Sequence, residues 1–110
     1  MKLTRLEEIV LYKTIKITKP DGERTDSYDE GKTYQALIQY LTNDRVAVET
    51  YGADVDKIHR VSTLHNELEK FLVSKVRNKQ DNVSNYVIKY NGNYYSILKV
   101  NPRWLEMKWR

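Results

Sequence analysis

The chain has 110 residues, with 19 Lys and Arg against 15 Asp and Glu and a formal net charge of +4. That length supports one domain with one modest core, and the mild charge excess, without any basic run, reads as a mixed charged surface rather than a nucleic-acid-binding stripe. With no cysteine in the chain, disulfide frameworks and cysteine-based metal or thiol sites are excluded; no apolar run approaches the ~20 residues of a membrane span, and Glu7 and Glu8 fall where a signal peptide would carry its apolar core.

Residues 1–8 read as a short helical turn or an arm. Ile9 to Ile17 reads as a strand, with Ile9, Leu11, Ile15 and Ile17 on one parity. Lys19-Pro20-Asp21-Gly22-Glu23 is a turn, because proline presets φ and glycine accepts φ > 0. The polar stretch from Glu23 to Lys32 reads as a loop or ragged strand. Thr33 to Leu41 alternates cleanly, with Tyr34, Ala36, Ile38 and Tyr40 on one face. After the Asn43-Asp44 turn, Val46 to Tyr51 has strand propensity, and Tyr51 to Val61 is expected to be an extended excursion, part loop and part strand.

Leu64, Leu68, Phe71, Leu72 and Val76 recur at helical spacing, and Asn66 with Glu69 matches a capping box, so a short helix is expected over Leu68–Val76; a strand through Phe71 and Val73 is the rival. Arg77 to Asn82 is a polar loop. Asn91-Gly92 then marks a β-hairpin, whose pairing sets Tyr86 opposite Ile97 and Ile88 opposite Tyr95, with Tyr90 on the same apolar face. Its other face carries Val87, Lys89, Tyr94, Leu98 and Val100, a mixed surface that suggests covering on both sides. Asn101-Pro102 breaks the hairpin, and Leu105, Met107 and Trp109 alternate with Trp104, Glu106 and Lys108 in a last strand. Five or six short strands and one short helix predict a mostly β fold: a small antiparallel barrel or sandwich in a single domain spanning residues 1–110.

Chemistry-bearing patterns are few. His59 and His65, six residues apart, match no zinc spacing; they read as surface histidines, with metal binding alongside Asp54 or Asp56 as the sharper alternative. The four glycines are scattered, so no phosphate loop exists, and no serine sits in a nucleophile elbow. An enzyme is therefore not expected, nor any cofactor or metal. Nine tyrosines stand against one phenylalanine. Tyr86, Tyr90 and Tyr95 read as core and cross-strand pairs, whereas Tyr94 shares its face with Lys89 and could stack a base. Arg103, Lys108 and Arg110 could contact phosphates or solubilise an edge strand.

The ordered set Tyr51-Gly52, Ile58 and Val61, Leu68-x-x-Phe71-Leu72, Asp81-Asn82-Val83-Ser84-Asn85-Tyr86-x-Ile88-x-Tyr90 and Tyr95-x-Ile97-x-x-Val100 resembles small minor-capsid proteins of tailed phages, the head–tail joining group also called head-closure or stopper proteins. The resemblance covers residues 33–110. It implies a non-enzymatic β-barrel that assembles as a ring between portal or adaptor and tail and closes the DNA channel after packaging. The implied partners are portal or adaptor proteins, tail proteins, further copies of the chain and, non-specifically, packaged DNA. No membrane is involved. The implied location is the host cytoplasm during assembly of the phage or prophage particle, then the head–tail interface of the virion. On this reading the excursion over residues 43–63 is the channel-gating loop, where Lys57, His59 and Arg60 approach DNA phosphates or make protomer–protomer salt bridges. Lys89, Tyr94, Leu98 and Trp104 then form an interface in the ring. The alternative is a small nucleic-acid-binding β-barrel module.

Overall fold

The shared parity of Ile9, Leu11, Ile15 and Ile17 belongs to one long strand, β1 (Glu7–Thr18), which takes in the two glutamates expected in a turn or arm. The structure, a computed structural model, describes residues 5–78 and 82–110, with Asp26 as backbone only; the reading of residues 1–4, and of residues 79–81 in the Arg77–Asn82 loop, falls outside that range. The further strands are β2 (Arg24–Tyr28), β3 (Lys32–Tyr40), β4 (Ile58–Thr63), β5 (Tyr86–Tyr90), β6 (Asn93–Val100) and β7 (Leu105–Trp109). Two α-helices interrupt them, α1 (Arg45–Tyr51) and α2 (Glu67–Arg77).

The antiparallel order β1-β3-β4-β7-β6-β5 closes on itself through β1–β5 pairing, so the fold is mostly β and the sheet is a six-stranded barrel, with β2 added beside β1. β1 changes partners along its length. Glu7–Leu11 pairs with β3, Val10–Lys13 with β5, and Thr14–Thr18 with β2 alone. The last segment, joined to β2 through the Lys19–Glu23 turn with Gly22 at φ 87°, leaves the barrel as a two-stranded arm. By strand rise it reaches roughly 17 Å past the rim. The stretch expected as loop or ragged strand is thus half of a ribbon.

Inside the barrel, the apolar face foreseen for the hairpin is buried in full: Tyr86, Ile88, Tyr90, Tyr95 and Ile97 join Ile9, Leu11, Tyr34, Ala36, Ile38, Val61, Leu105 and Met107. The Ile88↔Tyr95 pair has the expected register, and Asn91 and Gly92 take φ 51° and 79°, as a type I′ turn requires. One face assignment changes. A bulge at Leu98 shifts the β6–β7 register, so Val100 pairs with Leu105 and packs against the core rather than outward. Leu68 and Leu72 of α2 plug the barrel end from which the arm departs.

Two local expectations are corrected. Val46–Tyr51 is helical, not extended. The Asp44 carboxylate accepts from the Ala47 N–H at 2.9 Å, and Arg45 pairs with Glu49 one turn on. Helical spacing puts Ala47 and Tyr51 on one face against Leu41 and Ile58, and a 3₁₀ turn, Gly52–Lys57, leads into β4. The α2 cap also differs from the Asn66/Glu69 box. Asn66 is left-handed, at φ 54°, and makes no side-chain cap. Thr63 does so instead: its Oγ1 accepts from Leu68 N–H at 3.1 Å, while Glu69 accepts from the Thr63 N–H at 3.0 Å.

Candidate functional site

Strand alternation puts Tyr12, Thr14, Lys16 and Tyr28 on the outer face of β1 and β2, beside Lys89 of β5 and Tyr94 and Ser96 of β6. Three rings gather there. Tyr28 and Tyr94 stack with centroids 5.7 Å apart and planes at 18°, and Tyr12 lies 5.8 Å from Tyr28 and 6.5 Å from Tyr94. Tyr28 and Tyr94 each remain 38% exposed. The Lys89 ammonium sits 5.7 Å over the Tyr94 ring. On the far side, Arg110 is held by its N–H on the Tyr94 carbonyl, its Nε on Ser96 Oγ at 2.7 Å and its Nη1 on the Tyr28 hydroxyl at 3.5 Å. Next to Arg110 a polar pocket of about 210 Å³ is lined by Thr14, Lys16, Tyr28, Ser84, Asn85 and Arg110. The joint beneath is tightly built. Asp29 accepts from the backbone N–H groups of Lys13 and Gly31, and Gly31, at φ 76°, lies against Tyr12 so closely that a Cβ would sit 2.7 Å from its ring.

The outer face of β4 and β7 carries a second polar group. Glu106 is buried yet faces away from the core, accepting from Tyr51 Oη and from Arg60 Nη2 at 3.1 Å, with Lys99 Nζ at 3.9 Å. Burial and the bond to Glu106 push the Tyr51 phenol up to about 12. Trp104 covers the group, its ring 4.4 Å from the Arg60 guanidinium and 5.2 Å from Lys99. Every charge here has a neighbour of the opposite sign, which suits fixing α1 and the strands together.

A third group closes the barrel end away from the arm. His59 is 6% exposed and is ringed by Tyr40, Tyr90 and Tyr95. Tyr90 donates to Glu7 at 3.0 Å and lies 3.3 Å from the Tyr40 hydroxyl. Burial holds His59 below the ordinary imidazole value, against a smaller upward pull from its backbone bond and from Glu7.

These placements separate the residues read as a gating loop. Lys57 ends a surface 3₁₀ turn near Asp54, His59 points into the barrel, and Arg60 points out to Glu106 and Trp104. The segment is helix, 3₁₀ turn and strand rather than an extended excursion. His65 is exposed, as read, but His59 is not a surface residue. Among the residues read as an interface, Lys89 and Tyr94 come together, Leu98 stands half-exposed at the bulge, and Trp104 lies apart in the Glu106 group. Lys108 pairs with Asp54. The sequence reading missed Tyr12 and Tyr28. Tyr12 carried a signal, its outward parity on β1, whereas Tyr28 sat in a stretch whose strand character was hidden by charge.

No protein-family model and no curated protein matches the chain. Among solved structures it is similar to the solution structure of protein SF1141 from Shigella flexneri 2a, with a TM-score of 0.59 and 17% identity over 100% of this chain and 96% of that one. At that identity the likeness is one of fold.

Proposed function

We propose that the chain is a structural assembly protein of the phage or prophage head–tail connector kind, one protomer of a ring between portal or adaptor and tail. The observation that carries this reading is the β1–β2 arm. Ile15 and Ile17 are 44% and 47% exposed on its surface, and neither Thr14–Thr18 nor β2 has a described strand on its outer edge. A lone two-stranded ribbon is marginal in water, and an exposed apolar edge invites pairing with another chain. Laid on the neighbouring protomer, each arm makes a heterologous contact that a ring closes by rotation. The resemblance over residues 33–110 supports the same reading. Of the three residues read as gating, Lys57 alone lies outside the barrel wall, so contact with channel DNA falls to it, while Lys89, Tyr94 and Leu98 remain open to a neighbour.

The test is electron microscopy of lysates after deleting this reading frame from the phage or prophage that carries it, with complementation as control. Free tails beside tailless heads, many emptied of DNA, are expected. Intact infectious virions would sink the connector reading.

A further inference from the structure

We propose that the outer face at the base of the arm is a binding site for single-stranded nucleic acid, with a backbone phosphate in the Thr14–Arg110 pocket and an unpaired base on the Tyr28–Tyr94 rings. All of its residues lie on one chain, so the site is complete in the free protomer; it shares Lys89 and Tyr94 with the surface left to a neighbour and is a site of the unassembled chain. Two independent features meet there. The first is the pocket. Its described lining includes Arg110, Lys16, Thr14 and Tyr28, and no Asp or Glu side chain. That is a donor set for an anion with several oxygens. Arg110 is held in advance: bonds to Tyr94 O, Ser96 Oγ and Tyr28 Oη fix its backbone and two of its three guanidinium nitrogens. A planar fork fixed in this way loses little freedom when it meets a phosphate.

The second feature is the aromatic cluster. Tyr28 joins the two halves, lining the pocket with its hydroxyl and stacking on Tyr94 with its ring. A phosphate alone, or a phosphorylated side chain, has no use for three gathered phenol rings. A nucleotide does, because every base has a π face. Lys89, its ammonium 5.7 Å from the centre of the Tyr94 ring, supplies a second cation beside the rings for a neighbouring phosphate. A duplex keeps its base faces stacked inside, which restricts the fit to unpaired strands.

The full chain is titrated into a fluorescently labelled oligothymidylate, and anisotropy is read at several salt concentrations, with duplex DNA and inorganic phosphate as comparators. Single-strand binding that weakens steeply with salt is expected, since counterions are released. Losing the stacking surface in the double variant Tyr28→Ala, Tyr94→Ala should weaken it about tenfold or more, and Arg110→Ala should lower the salt slope by roughly 0.7. No binding by the parent chain overturns the proposal; so does duplex binding of equal strength that the tyrosine variants leave unchanged. A nuclear magnetic resonance titration of the unsubstituted chain guards against misfolded variants. The Tyr12, Tyr28 and Tyr94 ring signals should move with oligonucleotide, and shifts confined to another face overturn the assignment.

Discussion

His59 shows how one side chain can carry information that its sequence neighbours hide. It is two residues from Lys57 and next to Arg60, so in sequence it reads as part of a basic surface stretch. β4 alternation turns it inward, onto Tyr40, Tyr90 and Tyr95. Because burial lowers its proton affinity in the fold, the unfolded chain takes up the proton first as pH falls through the ordinary imidazole range. Stability is therefore expected to fall from about pH 7 toward pH 5 on account of His59. Two of the facing phenols, Tyr90 and Tyr95, are raised by burial and do not titrate there. Glu69 works in the opposite sense. Burial raises its carboxyl above the usual value, so ionising it costs stability as pH rises through the carboxylate range. The two slopes oppose each other, and the clean readout is the difference between parent and His59→Phe in urea unfolding at several pH values. The parent should lose more stability on acidification than the variant; parallel curves would show that His59 does not titrate in this way. Arg60 is the contrasting neighbour. Arg60→Ala leaves Glu106 buried with Tyr51 and the more distant Lys99, and should cost about 3 kcal/mol in the same assay, at the low end for breaking a buried pair because the guanidinium is partly exposed.

At the scale of elements, the hairpin at Asn91-Gly92 and the strand over Thr33–Leu41 were legible because each combines a period with a boundary signal, and the helix over Leu68–Val76 through its period alone, since its cap is Thr63 and not Asn66. Val46–Tyr51 was misread because its β-branched residues favour a strand locally, while the deciding facts are an N-cap at Asp44 and the burial of Ala47 and Tyr51 against residues distant in sequence. Asp44→Ala should therefore cost about 1 kcal/mol and shorten α1, read by urea unfolding and by amide exchange at Ala47. The Asp29–Gly31 corner was read only as part of a loop or ragged strand, because its role depends on a partner some sixteen positions earlier, the Lys13 backbone at 2.9 Å. There Gly31→Ala meets both a left-handed backbone and the Tyr12 ring. A loss of roughly 1–3 kcal/mol is expected, together with displaced Tyr12, Tyr28 and Tyr94 ring signals. Stability loss without movement of those signals would separate the joint from the tyrosine face. The tyrosine face itself was half legible: Tyr94 and Lys89 share a hairpin, whereas Tyr12, Tyr28 and Arg110 reach it only through barrel closure.

The whole molecule is asymmetric along the barrel axis. One end is sealed by Tyr40, Tyr90, Tyr95 and His59; the other is plugged by α2 and sends out the arm. The core needs the plug, and the arm adds little to that core. Leu72→Ala, a substitution at a fully buried position, should cost about 2–5 kcal/mol. The double variant Ile15→Asp, Ile17→Asp replaces side chains already facing solvent, so the isolated chain should change by no more than about 1 kcal/mol, chiefly through lower strand propensity. In particle assembly the order should reverse. If the arm lies on a neighbouring protomer, two buried carboxylates at that contact would prevent ring closure, and the arm variant should fail to complement the deletion while remaining folded. Thermal unfolding and complementation, read on the same pair of variants, separate the two roles. An arm variant that unfolds as readily as Leu72→Ala would mean that the arm packs on its own barrel. One that stays folded and restores infectious particles would mean that Ile15 and Ile17 make no contact on which the ring depends.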